Sequence, residues 1–129
     1  MHFCSGDYAM TADAFADRLA RVRQRFVSTL KGKIDGANAS IARLADLAPD
    51  AAVAVDETYR CMHGIVGVAP TVGFPAAGRA AHDVEGTLRA AQRDRRGLRP
   101  DEILLFAKRL QVLREASDRE LQFFYSAAQ

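Results

Sequence analysis

The sequence predicts an all-α fold: an antiparallel four-helix bundle with a short extra helical segment at its N-terminal side. Three observations predict it. Apolar residues recur three and four apart along most of the 129 residues, the period of an amphipathic helix rather than the alternation of a strand. Breaks at Pro49-Asp50, at Gly73-Phe74-Pro75 and from Asp94 to Pro100 divide that pattern into helix-length segments. The breaks are short, and short connections make neighbouring helices antiparallel. No convincing strand and no internal repeat competes with this reading.

Taken in order, residues 1–10 read as an irregular arm and residues 11–129 as a single domain. Thr11 or Asp13 can cap the first helical region. From there Phe15, Leu19, Val22, Phe26, Leu30, Ile34, Ala37, Ile41, Leu44 and Leu47 keep the helical period. So long a run exceeds the usual globular helix, and a short helix running into a longer one, or a bend, is expected. The helix after Pro49-Asp50 turns Val55, Tyr59, Met62, Ala69 and either Ile65 or Val66 toward the core. Pro75 suits the first turn of the next helix, in which Ala77, Ala81, Val84, Leu88 and Ala91 face inward. The last helix carries Ile103, Phe106, Leu110, Leu113, Leu121 and Phe124.

Composition bounds the function. Apolar residues make up 49% of the chain and charged residues 26%, as in an ordinary globular domain. A net charge of +2 is too small to point to nucleic acid or a membrane surface. Arg93, Arg95, Arg96 and Arg99 have no interleaved aromatic residue and read as a solvated loop. Cys4 and Cys61 make no disulfide framework. No stretch approaches the roughly 20 apolar residues of a membrane span, and the start lacks the pattern of a signal peptide. A cytoplasmic monomer is expected. His2, Cys4, Cys61, His63 and His82 show no metal-ligand spacing, and no Gly-rich nucleotide loop supports kinase activity. No bound metal or cofactor is therefore expected.

The chemistry concentrates at His63. Gly64, Gly67, Pro70 and Gly73 follow it inside a stretch that otherwise patterns as helix. Glycine in a helix interior costs about 1 kcal/mol relative to alanine, and proline about 3. Such costs around one histidine point to a need for an unobstructed surface. His63 lies about 100° around the helix from Met62, on a stripe with Asp56, Arg60 and Gly67, so it should face water while Met62 is buried. Glu85 stands one past Val84, at the edge of the next helix's apolar face, within reach of a neighbouring helix. Pro70 cannot donate to the carbonyl of Val66, so the helix should kink there or simply end before Thr71.

This constellation resembles the motif of histidine phosphotransfer (HPt) domains. That family has a histidine, then lysine at plus three, glycine at plus four, a small residue at plus six, glycine at plus ten, and glutamate or glutamine at plus twenty-two. His63, Gly67, Ala69, Gly73 and Glu85 match, and Val66 stands where many members have lysine. The likeness extends more loosely over residues 11–126. It implies a phosphoryl carrier in a two-component phosphorelay. His63 would accept the phosphoryl group, Glu85 would orient the imidazole, and Arg60 would lend charge. Val66, Gly67, Pro70 and Gly73 would form the docking rim. The implied partners are response-regulator receiver domains and a hybrid histidine kinase, with Mg²⁺ held by the receiver. Val66 keeps a second reading open, a module that docks receivers or a kinase without carrying phosphate. A structural bundle with an accidental histidine is the third.

Overall fold

The computed structural model describes the backbone of residues 5–127 and the side chains of residues 11–127. His2 and Cys4 lie outside the described residues. All regular structure in this range is helical: α1 (Ser5–Ala39), α2 (Ile41–Leu44), α3 (Ala51–Val68), α4 (Pro75–Asp94) and α5 (Pro100–Ala127). None of these helices is long and apolar enough to cross a membrane.

The first helical region differs from the expectation. It is one uninterrupted helix of 35 residues, and it starts at Ser5, inside the stretch read as an irregular arm. Ala9, Met10, Ala12 and Ala14 are strong helix formers, and no proline interrupts them. The break comes instead at Ser40, whose N–H is shared between the carbonyls of Gly36 and Ala37 at 3.1 and 3.2 Å. Its hydroxyl also donates to Ala37 O at 2.9 Å, the local side-chain competition that unsettles a helix end. A single turn, α2, follows. The short extra segment thus comes after the long helix, not before it.

Helices α1, α3, α4 and α5 share one core. Phe26, Leu30, Ile34 and Ala37 enter it from α1, and Val55, Met62 and Ile65 from α3. Ala77, Ala81, Val84, Leu88 and Ala91 enter from α4, and Phe106, Leu110 and Leu113 from α5. Three expected core residues are exposed instead: Phe15 at 61%, Val22 at 39% and Leu47 at 98%. The described α1 residues before Leu19 are exposed throughout, so the apolar stripe outruns the helices available to cover it.

Long-range contacts fix the connections. The α2–α3 and α4–α5 connections meet in an isolated parallel bridge between Ala45 and Leu98, where Leu98 N–H donates to Leu44 O at 2.7 Å. The loop arginines are not all solvated. Arg96 forks onto Glu102 at 2.8 and 3.1 Å, and that guanidinium holds the Glu102 carboxyl down at about 2. The start of α4 is capped from α5: Ala76 and Ala77 N–H donate to the two oxygens of Glu120 at 2.9 and 2.8 Å. These are amide groups that the first turn of a helix cannot satisfy itself.

Candidate functional site

His63 sits on α3 and Glu85 on α4, the pair of helices whose buried faces interlock most extensively. Met62 is fully buried, and the neighbouring His63 side chain is 68% exposed, as their angular offset predicts. The His63 Nδ1 lies 2.6 Å from Oε2 of Glu85. Glu85 itself is buried, with only 4% of its side chain exposed. Where Glu85 accepts, as a carboxylate does, Nδ1 is the donor. In that tautomer the lone pair of the imidazole falls on Nε2. The Tyr59 ring, one turn back, stacks on the imidazole with a 10° tilt and centroids 6.0 Å apart.

The surface around the ring is open. Gly64 and Gly67 are exposed, and a Cβ placed on either would meet no neighbouring atom within 4 Å. Gly67 is one turn beyond His63 on the same face, so a partner can approach the imidazole over bare backbone.

The remaining residues of the predicted rim behave differently from one another. Helix α3 ends at Val68, and the N–H groups of Thr71 and Val72 turn back to the Val68 carbonyl at 3.0 and 3.3 Å. Pro70 therefore stands just past a helix terminus and not at an interior kink. Its exposed ring lies against α4 at Gly78, where a methyl group would meet Pro70 Cγ and Cδ at 3.3 Å. Gly73 has φ of +93°, a backbone that glycine alone adopts cheaply. That turn lets Phe74 N–H reach Ala69 O at 2.8 Å. Val66 is half-buried and packs against the core. It belongs more to the interior than to a rim.

Arg60 does not join the histidine pair. Its Nε lies 3.0 Å from Asp56 Oδ2, and Asp56 also accepts from Gln92 of α4 at 3.2 Å. The guanidinium that reaches the pair is Arg89, whose Nη2 donates to Oε1 of Glu85 at 3.1 Å. Sequence reasoning passed over Arg89. The available signal was its position four residues after Glu85, which places both on one helix face.

Other candidates fall away from this centre. His82 is exposed on α4. Burial pushes the Cys61 thiol above its ordinary range, which disfavours the reactive thiolate. Among the described residues no group of three or more His, Cys, Asp or Glu is placed to hold a metal ion. The chain matches no protein-family model, no curated protein and no solved structure.

Proposed function

We propose that the chain is a histidine phosphotransfer protein, an antiparallel four-helix bundle of α1, α3, α4 and α5 that shuttles a phosphoryl group between receiver-domain aspartates. The observation that carries this reading is an exposed imidazole whose Nδ1–H is tied to a buried carboxylate 2.6 Å away, beside two glycines that leave its approach open.

The chemistry balances without any further group on this chain. The Nε2 lone pair attacks the phosphorus of an aspartyl phosphate on the receiver. The Nε2–P bond forms as the acyl P–O bond breaks, and that electron pair returns to the aspartate as a free carboxylate. The imidazole keeps its Nδ1 proton and becomes cationic, and Glu85 offsets that charge. Reversal of the step onto a second receiver regenerates neutral His63. Positioning and electrostatics supply most of the catalysis of such transfers. The Mg²⁺ belongs to the receiver, and a hybrid histidine kinase is the expected source of phosphate.

Incubation with a phosphorylated receiver tests the reading. Acid-labile, base-stable label should appear on the wild-type protein and be absent from His63→Gln, while receiver binding persists. Val66 in place of a lysine favours one other reading, a receiver-docking module. Tight receiver binding by the wild-type protein without label would establish that alternative and exclude the carrier.

A further inference from the structure

We propose that Arg89 is a positioning residue that acts on His63 through Glu85. The two oxygens of one buried carboxylate are divided between two partners. Oε2 accepts from His63 Nδ1 at 2.6 Å and Oε1 accepts from Arg89 Nη2 at 3.1 Å.

A single contact would leave that carboxylate poorly defined. The terminal torsion of a glutamate is broad and roughly two-fold, so one hydrogen bond from an exposed ring does not fix its plane. A carboxylate turned away from Nδ1 would leave the ring free to carry its proton on Nε2, which removes the lone pair that the chemistry uses. Arg89 blocks that escape: it anchors the second oxygen and so holds Oε2 against Nδ1. The guanidinium stays charged at any ordinary pH. With half of its side chain in water, it supplies charge without the cost of a second buried ion. One turn of α4 separates the two residues, so the helix itself sets their spacing.

The effect of Arg89 on the ring stands apart from any phosphate chemistry, while its effect on transfer rests on the carrier reading. Nitrogen-15 NMR of the His63 ring in the unphosphorylated protein reads the first. The wild-type ring should be predominantly the Nδ1–H tautomer, Arg89→Met should give a mixture, and Arg89→Lys should recover most of the wild-type signal. The rate of His63 labelling by phosphoramidate, a small phosphoryl donor that needs no receiver, should fall on the order of tenfold in Arg89→Met, the scale of a mispositioned reacting group. With a phosphorylated receiver, the maximal transfer rate should fall in the same proportion at an unchanged half-saturating receiver concentration. An unchanged tautomer in Arg89→Met, with or without a lower melting temperature, overturns the proposal. If Arg89→Met fails to fold, Arg89→Gln takes its place under the same criteria. A tautomer that shifts as expected supports positioning even if the wild-type protein takes no label from any receiver. That result would overturn the carrier reading alone.

Discussion

The Nδ1 of His63 lies 2.6 Å from Oε2 of Glu85, although one side chain is 68% exposed and the other 4%. In the proposed transfer the reactive group must meet its partner in water, whereas an orienting group works best where water cannot compete for it. The two helices satisfy both demands by placing the ring on the outer face of α3 and the carboxylate in the seam with α4. Glutamine offers the same acceptor oxygen without the charge. Glu85→Gln should therefore hold the ring and retain most of the transfer rate, while Glu85→Ala should lose on the order of tenfold or more. Receiver-dependent labelling of the two variants measures this. Equal rates for Glu85→Ala and wild type would remove the orienting role and leave His63 as an unassisted nucleophile.

The pair of Arg96 and Glu102 makes stability depend on pH. Arg96 bonds both carboxylate oxygens, Arg99 N–H donates at 2.9 Å, and the Glu102 carboxyl titrates at about 2 instead of 4.5. A carboxylate whose folded value is depressed contributes stability above the unfolded value, and that contribution fades as pH falls through the folded one. The window is therefore from about 4.5 down to about 2. A tenfold change in proton affinity is worth about 1.4 kcal/mol, and partial exposure of both side chains reduces the total to about 2 kcal/mol. Glu102→Gln should be less stable than wild type by that amount near neutral pH, with the gap closing in acid. Urea unfolding across the range measures it. A gap that persists at the acid end would assign the loss to packing.

Glu120 offers a change of stability without a change of chemistry. Its two oxygens take the Ala76 and Ala77 amides at the start of α4, roughly 13 Å along the helix axis from Glu85. Glu120→Ala should cost about 1–2 kcal/mol, as the loss of a helix cap does. Glu120→Gln should recover roughly half, because one acceptor oxygen remains. Neither should alter the tautomer of His63 or its labelling by phosphoramidate at temperatures where the fold is intact. Thermal unfolding and labelling on the same samples check both statements.

Much of this was legible in the sequence, for definite reasons. The inward positions of α4 were readable because that helix packs on both α3 and α5, so its period records two neighbours at once. Phe15 and Val22 misled because periodicity shows which face is apolar, not how far a neighbouring helix extends to cover it; Leu47 misled because the helical run stops at Leu44 and leaves it in the connection. The proximity of His63 and Glu85 was readable because both lie next to core residues, Met62 and Val84, on helices joined by a short connection. Arg89 was hidden among many arginines, since a lone cation on a helix gives no sign of which carboxylate it holds. The cap by Glu120 joins residues 44 and 43 positions apart, and no local pattern encodes such a contact.

Two glycines make the sharpest contrast between surface and scaffold. A Cβ on Gly97 would meet Asp46 Cα at 2.6 Å, in the α2–α3 connection, and Ala51 Cβ at 2.8 Å, at the start of α3. Gly97→Ala should therefore destabilise by about 1–3 kcal/mol, as overpacking does, and should spare transfer wherever the protein stays folded. A Cβ on Gly67 would meet nothing within 4 Å. Gly67→Ala should instead stabilise α3 by up to about 1 kcal/mol, and Gly67→Gln should leave the fold intact. Both would place atoms one turn from the imidazole, on the face that a receiver would cover in the proposed transfer. Transfer from a receiver should weaken with alanine and be largely blocked with glutamine, while phosphoramidate, being small, should still label His63 in both. Melting temperature, receiver transfer and phosphoramidate labelling on the same variants separate these effects. If Gly67→Gln unfolded the protein, or transferred as fast as wild type, the open surface beside His63 would not be a docking surface.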